Sequence, residues 1–333
     1  MPAHSALDIE AVPLLPGWTD VLDAAARIRP WVAATPAMRN AALDALAGAS
    51  LHFKCENFQR SGAFKFRGAC NAVFALPDAV AARGVATQSS GNHGAAIALA
   101  CRLRGIEAIV VVPEGAPQVK LDNIAGEGAR IVRCAPNMRA RDAAVAEVVA
   151  ESGATLIHPF DHPHVIAGQA TAALELMQQA PALEAVVAPV GGGGLLSGTA
   201  LACRALSPAT AVWGAEPEAA RDAHDSLAAG RLIDDRVPQT ICDGLRGHLS
   251  PRTFALLARH ADGILLAGED AIRAATLLAW RHLKIVIEPS SAVALAVVLA
   301  TPEVFGGKRV GIVLSGGNVD PAALAPAWGR IDA

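Results

Sequence analysis

Residues 185–200 read AVVAPVGGGGLLSGTA, and this stretch decides the fold class. Its first six residues are apolar, with the length and composition of a buried strand. Four glycines follow, and an apolar, Ala-containing segment of helical length then begins at Leu195. A buried strand that turns through glycines directly into a helix is typical of a parallel sheet covered by helices on both faces.

The same alternation runs along the whole chain of 333 residues. With that first strand included, the predicted strands are Ala108–Val112, Arg130–Val132, Ala185–Ala188, Val212–Ala215 and Val310–Leu314. Predicted helices are Asn92–Arg104, Met138–Ser152, Gly168–Gln179, Leu195–Leu206 and Glu269–Leu283. We therefore expect an α/β protein with a mostly parallel sheet, built as one large domain or two interleaved ones.

Composition narrows the class of function. The formal charge is −3 and no Lys/Arg run is present, so nothing predicts binding to nucleic acid or to an anionic membrane. No signal peptide and no apolar run of about 20 residues is evident, so we expect a cytoplasmic protein acting on a small molecule. The six cysteines are scattered without a CxxC pair, which fits neither a zinc site nor a disulfide framework.

A single lysine stands between two aromatic residues in residues 61–69, SGAFKFRGA. An apolar pocket around Lys65 would disfavour the charged amine and make it a nucleophile toward an aldehyde. On these residues alone, a surface lysine whose stem lies along apolar neighbours remains the alternative.

The four glycines Gly191–Gly194 suggest a phosphate site. Backbone N–H groups of such a turn, at the start of a helix, can bind a phosphate without any basic side chain. The run lacks the GK[ST] of a P-loop and the spacing of GxGxxG. A plain tight turn is the alternative, although four glycines carry an entropic cost that such a turn does not require.

Two further loops combine glycines with short polar side chains. The loop Ser89–Gly94 precedes an Ala-rich helical segment and could present N–H and hydroxyl donors to a carboxylate, or act only as a helix cap. The loop Ser315–Asn318 follows a predicted strand and could aim a hydroxyl at a ligand, or be an ordinary turn.

Together, in this order, the four segments resemble the serine/threonine dehydratase and serine racemase family of pyridoxal-phosphate enzymes. The resemblance runs from Ile28-Arg29-Pro30 to Asn318, and the lysine is followed by Phe66-Arg67-Gly68, as in the dehydratases. It implies a fold type II enzyme with two open, twisted, mostly parallel α/β domains and the cofactor between them. The implied large domain comprises 1–83 and 157–333, and the implied small, mobile domain 84–156.

The resemblance also implies roles for individual residues. Lys65 is implied as the Schiff-base lysine, with Phe64 packed against the cofactor ring. Asn92 is implied as the partner of the phenolic oxygen, and Ser315 as the residue that faces the pyridine nitrogen. The implied phosphate cradle comprises Gly191, Gly192, Gly193, Gly194 and Leu195. The implied clamp on the substrate α-carboxylate comprises Ser90, Gly91, Asn92 and His93.

The implied reaction removes water from a β-hydroxy amino acid and yields a 2-oxo acid and ammonia, with Lys65 as general base. Ser90 matches the residue that faces the opposite side of the substrate in racemases, so racemisation of serine or aspartate is an alternative outcome. Dehydration of 3-hydroxyaspartate is another. Arg141 matches an arginine near the substrate side chain that could bind a second carboxylate, or it is an exposed helix charge like Arg139.

A divalent cation and a homodimer are further implications of the resemblance. Glu216, the carbonyl of Ala220 and Asp222 match the family's ion site, and oxygen ligands of this kind suit Mg²⁺ or Ca²⁺. On spacing alone, an exposed acidic turn is the alternative.

Overall fold

Ten β-strands form two sheets in the computed structural model, which describes residues 14–116, 118–235 and 237–320. In chain order the strands are β1 (Ala37–Met38), β2 (Ser50–Cys55), β3 (Val85–Gln88), β4 (Ala108–Pro113), β5 (Arg130–Cys134), β6 (Thr155–Leu156), β7 (Ala185–Pro189), β8 (Ala211–Pro217), β9 (Gly263–Ala267) and β10 (Arg309–Leu314).

The α-helices of the described residues connect and cover these strands. They are α1 (Trp18–Ile28), α2 (Ala41–Ala47), α3 (Lys65–Phe74), α4 (Asp78–Ala81), α5 (Asn92–Arg104), α6 (Gln118–Gly126), α7 (Met138–Ser152), α8 (Pro163–Gln179), α9 (Gly194–Leu206), α10 (Asp222–Ala229), α11 (Pro251–His260), α12 (Glu269–Leu283), α13 (Pro289–Ala300) and α14 (Pro302–Phe305).

The larger sheet has six strands in the order β1-β2-β10-β7-β8-β9. Only the edge pair β1–β2 is antiparallel, and in the parallel part Ile312 of β10 lies between Phe53 of β2 and Val187 of β7. Helices α2, α12 and α13 pack on one face, and α8 and α9 pack on the other. Burial on both faces explains why β7 and β10, in the middle of this sheet, are nearly continuous apolar runs.

The smaller sheet has four parallel strands in the order β5-β4-β3-β6. In β4, Val110 and Val112 pack against α5 and α6, whereas Ile109 and Val111 pack against α7. This division follows from the two-residue period of a strand, which turns successive side chains to opposite faces. Two mostly parallel sheets, each covered by helices, confirm the predicted fold class.

Helices α5, α7 and α12 have the bounds expected from the sequence, and the other predicted elements except α8 differ from their expected bounds by one or two residues at an end. Helix α8 is longer than predicted, because it begins at Pro163 instead of Gly168. A proline fits the first helical position, where its missing N–H has no partner to lose. Strands β3 to β6 all lie within residues 84–156, but the domain boundaries and the mobility of the smaller part stay predictions.

Helix α3 joins the two halves, because it packs against α5 beside the smaller sheet and against α8 beside the larger one. Lys65 is its first residue. The loops after β3, β7 and β10 all leave the carboxyl ends of parallel strands, where ligands bind in open α/β sheets. No helix in the described residues is long and apolar enough to cross a membrane.

Candidate active site

Lys65 lies half-buried where the two sheets meet. Its Nζ donates to the carbonyl of Pro159 at 3.1 Å and lies 5.2 Å from the centre of the Phe64 ring. Desolvation lowers the pKa of Lys65 to about 8, and the nearby carboxyl group of Glu288 raises it in the opposite direction. The amine is therefore a much stronger nucleophile near neutral pH than an exposed lysine.

The backbone around Lys65 is pinned to the loop that follows β10. The N–H of Phe64 donates to the carbonyl of Ser315 at 2.9 Å, and the N–H of Gly317 donates to the carbonyl of Gly62 at 2.9 Å. Two segments about 250 residues apart in the chain are thus held side by side. The structure thus brings Lys65, Phe64 and Ser315 together.

The glycine turn lies at the start of α9 with no room for side chains. A Cβ on Gly192 would lie 2.3 Å from the ring of Phe160, and one on Gly191 would lie 2.9 Å from the Cα of Leu245. Gly193 has a φ of 84°, in the left-handed region that glycine favours. The N–H groups of the first turn of α9, which begins at Gly194 and Leu195, have no partner within the helix and can bind an anion.

Asn92 is fixed from both sides by hydrogen bonds. Its Nδ2 donates to the two carboxylate oxygens of Glu288 at 3.0 and 3.2 Å, and its Oδ1 accepts from Asn318 at 2.9 Å. The amide of Asn318 is itself oriented because it also donates to the carbonyl of Ser61 at 2.7 Å. A fixed side-chain amide with a second N–H proton can donate to a phenolic oxygen.

Glu288 lies beneath this network and is 4% exposed. Burial raises the pKa of Glu288 to about 7, Asp243 raises it further, and the hydrogen bond from Asn92 lowers it. A cavity of about 340 Å³ adjoins the network and is lined by Asn92, Glu288 and Asn318 together with Lys120 and Asp243.

The predicted clamp lies between β3 and α5. Ser90 and Gly91 are half-buried, and the N–H of Gly91 donates to Ser89 Oγ at 3.2 Å. The side chain of His93 is 2% exposed, and burial holds its pKa well below the usual value. The imidazole of His93 is therefore neutral, and its backbone N–H, in the first turn of α5, is available to a carboxylate.

Arg141 lies near the carboxyl end of β5, where burial raises the pKa of the Cys134 thiol and the charge of Arg141 offsets part of that rise. It is half-buried and its Nε atom is fully shielded, yet within the described ranges its guanidinium has no hydrogen bond or ion pair. The neighbouring Asp142 accepts from Gln88, the residue that precedes the Ser89–Gly94 loop, at 3.1 Å. Arg139, by contrast, is exposed.

The predicted ion ligands lie at the end of β8 and the start of α10, in a different part of the fold from Lys65. Glu216 is fully buried and accepts from the N–H groups of Ala223 at 2.9 Å and His224 at 2.8 Å. Burial raises the pKa of Glu216 to about 8, and the charge of Asp222 adds to this effect. Over the described residues, no three His, Cys, Asp or Glu side chains form a metal-binding group.

The residues around Lys65 fit pyridoxal phosphate. The lysine amine is desolvated, and the glycine turn offers free N–H groups. The amide of Asn92 and the hydroxyl of Ser315 are further hydrogen-bond donors. These are the groups that an aldehyde, a phosphate, a phenolic oxygen and a ring nitrogen require.

Comparison with known proteins agrees with this fit. The family model "Pyridoxal-phosphate dependent enzyme" matches residues 28–316, and the chain therefore belongs to the family of pyridoxal-phosphate-dependent enzymes. The β-hydroxyaspartate dehydratase of Paracoccus denitrificans is 50% identical, over 92% of this chain and 97% of that protein. The L-threo-3-hydroxyaspartate ammonia-lyase of Saccharomyces cerevisiae is 45% identical, over 92% of this chain and 94% of that protein.

Among solved structures, maize serine racemase superposes with a TM-score of 0.90 at 40% identity, covering 94% of this chain and 96% of that one. The resemblance to the dehydratase and racemase family is thus confirmed, and with it the fold.

Sequence reasoning missed two residues of the site, Glu288 and Phe160. Glu288 precedes the apolar helix α13 and gives no signal beyond that of a helix start. Phe160, which covers the glycine turn, lies in the loop 158–164, and nothing in the sequence of that loop indicates that the ring packs against Gly192. Only the three-dimensional contacts identify these residues.

Proposed function

We propose that the chain removes water from a β-hydroxy amino acid that carries a second carboxylate, 3-hydroxyaspartate, and releases a 2-oxo acid and ammonia. When bound, pyridoxal phosphate withdraws electrons from the α-carbon of the substrate amine. Lys65, freed from the cofactor, accepts the α-proton on its neutral amine. The first-turn N–H groups at Asn92 and His93 hold the α-carboxylate.

The single observation that supports an acidic substrate is that the side chain of Arg141 has no hydrogen-bond or ion-pair partner among the described residues. The Nε atom of Arg141 is shielded and has no partner among the described residues, and a buried polar atom of this kind is costly unless a ligand supplies the missing acceptor. The hydrogen bond from Gln88 to Asp142 joins the start of α7 to the strand that precedes the Ser89–Gly94 loop, which supports a place for Arg141 near the substrate. A carboxylate can bind arginine through two parallel hydrogen bonds, which a methyl group cannot do. Two relatives named for hydroxyaspartate support the same substrate.

A substrate panel tests this proposal. We expect the release of 2-oxo acid to be fastest from one diastereomer of 3-hydroxyaspartate, and slower from serine and threonine. Faster turnover of threonine than of either hydroxyaspartate would contradict the acidic substrate and leave a serine/threonine dehydratase.

Racemisation is the second candidate, because Ser90 lies in the Ser89–Gly94 loop, which we propose to bind the substrate carboxylate, and relatives of the chain are named serine racemases. A hydroxyl on the face opposite Lys65 could return a proton to the α-carbon. Dehydration and racemisation would use the same site, and the enzyme would differ from a pure dehydratase only in the ratio of the two products.

We also propose that Glu216, Asp222 and the carbonyl of Ala220 hold Mg²⁺ or Ca²⁺, with water as the remaining ligands. A hard cation would stabilise the buried carboxyl pair, which desolvation otherwise disfavours. His248 Nδ1 lies 3.7 Å from Asp222 Oδ2, and the next residue back, Gly247, lies against Gly192. An ion here would therefore stabilise the position of Gly247 and His248, which lie next to the proposed phosphate cradle.

A homodimer and a cytoplasmic location complete the proposal, on the strength of the family alone. Sedimentation analysis tests the dimer directly, with a monomer at micromolar concentration as the contrary result.

A further inference from the structure

Two buried serine hydroxyls lie next to each other beneath the candidate cofactor site. Ser291, in the first turn of α13, has its Oγ 3.3 Å from the Oγ of Ser315. Ser291 is 0% exposed and Ser315 is 3% exposed. Ser291 Oγ also accepts a hydrogen bond from the N–H of Gly316 at 2.9 Å.

The backbone N–H fixes the direction of the bond between the two hydroxyls. An N–H group can only donate, so Ser291 must act as the acceptor toward Gly316. Within the part of the chain that the structure describes, the hydroxyl proton of Ser291 then has one acceptor, Ser315 Oγ. If Ser315 donated instead, the Ser291 proton would be buried without a partner, which is unfavourable.

Ser315 therefore accepts from Ser291 and keeps its own proton for another acceptor. The structure gives the Ser315 hydroxyl no other side-chain partner among the residues it describes. We propose that Ser291 is a positioning residue that turns the Ser315 proton toward the ring nitrogen of pyridoxal phosphate, so that this nitrogen accepts a hydrogen bond and stays unprotonated. The inference rests on binding of the cofactor and is independent of which substrate is used.

The groups around Ser315 also disfavour protonation of the ring nitrogen. Ser291 is the third residue of α13, and the positive end of that helix disfavours a protonated nitrogen nearby. A protonated ring nitrogen is itself a donor and would meet a hydroxyl already committed to donating. Without Ser291, the Ser315 hydroxyl could rotate and accept, and protonation would become easier.

The same helix provides a matched control. Ser290 is 1% exposed, and its Oγ accepts from the N–H of Gly244 at 3.0 Å. Ser290→Ala thus removes the same atoms and one hydrogen bond of the same kind, without touching Ser315. Both single variants delete one oxygen, so circular dichroism and thermal melting should show folded proteins of similar stability.

The test uses the holoprotein loaded with pyridoxal phosphate that carries ¹⁵N in its ring. The ¹⁵N resonance reports directly whether this nitrogen is protonated, and it is followed against pH without substrate. We expect an unprotonated nitrogen in the unchanged protein at neutral pH. In Ser291→Ala the protonation midpoint should rise by roughly one pH unit or more, whereas Ser290→Ala should match the unchanged protein.

A double variant decides whether the effect passes through Ser315. Ser315→Ala should also raise the protonation midpoint of the ring nitrogen. Adding Ser291→Ala to it should cause no further rise, because Ser291 acts only through the Ser315 hydroxyl, which is already absent. A protonated nitrogen in the unchanged protein, equal midpoints in all variants, or equal rises for Ser290→Ala and Ser291→Ala would each overturn the proposal.

Discussion

The amide of Asn92 donates to both carboxylate oxygens of Glu288, at 3.0 and 3.2 Å, and so ties the start of α5 to the start of α13. Burial raises the pKa of Glu288 to about 7, so the group becomes charged near neutral pH. Once charged, it favours the protonated form of Lys65. The Glu288 carboxyl therefore links the asparagine of the site to the reactivity of its lysine.

The first prediction concerns the pH dependence of cofactor capture. Only the neutral amine of Lys65 attacks the aldehyde, and its pKa is about 8. The rate at which cofactor-free protein binds pyridoxal phosphate covalently should rise with pH and level off above about 8. Stopped-flow absorbance measures this rate.

Glu288→Gln removes the charge that raises the pKa of Lys65, so its midpoint should move to lower pH. Glu303→Gln, an exposed change on α14, should leave the midpoint where it was. An unmoved midpoint in Glu288→Gln would show that the two groups are not coupled.

The second prediction identifies the cofactor lysine. Borohydride reduction of the holoprotein, followed by peptide mapping, should place the label on Lys65. Lys54 is the informative comparison, because it is fully buried and its pKa, like that of Lys65, is lowered by burial. Its Nζ is occupied by Thr35 and Glu175, at 2.6 Å in each case, so it should carry no label. Label on Lys54 would refute the assignment.

The third prediction concerns the cation. Chelation should lower the melting temperature by a few degrees, and Mg²⁺ or Ca²⁺ should restore it, because an ion bound only by the native state stabilises that state. Asp222→Ala should melt like the chelated protein and no longer respond to either ion. Asp235→Ala, an exposed carboxylate outside α10, should respond like the unchanged protein. Identical melting with and without chelator would exclude the site.

The fourth prediction concerns whether Ser90 and Lys65 act on opposite faces of the substrate. Ser90→Ala should abolish racemisation but leave measurable dehydration of one enantiomer, because Lys65 still serves as base on its own face. Ser89→Ala is the control, since that hydroxyl accepts from Gly91 within the loop. Chiral chromatography and 2-oxo acid assays follow the two reactions, and equal loss of both in Ser90→Ala would contradict a two-face arrangement.

Much of this site could be predicted because its parts are contiguous in the sequence. Lys65, the glycines at 191–194 and Ser315 each belong to a short motif that follows or precedes a recognisable strand or helix. The carboxyl ends of parallel strands meet at one edge of a sheet, so the fold class alone brings such loops near one another.

The remaining features depend on contacts between distant segments. Asn92 and Glu288 are 196 positions apart, and nothing near either residue indicates the other. The direction of the bond between Ser291 and Ser315 depends on the position of one backbone N–H, that of Gly316. The early start of α8 could have been foreseen, because Pro163 is a good first helical residue.

The comparison of Arg141→Ala with Arg139→Ala tests the central claim most directly. A shielded charged hydrogen bond to a second carboxylate is worth about 1.5–3 kcal/mol, so Arg141→Ala should lower kcat/KM for 3-hydroxyaspartate roughly ten- to a hundredfold. Threonine offers only a methyl group there and should be affected far less, and Arg139→Ala should change either substrate by less than about twofold. The predicted result is a threonine-to-hydroxyaspartate ratio of kcat/KM that rises at least tenfold in Arg141→Ala. A ratio unmoved by that substitution would contradict the acidic-substrate account.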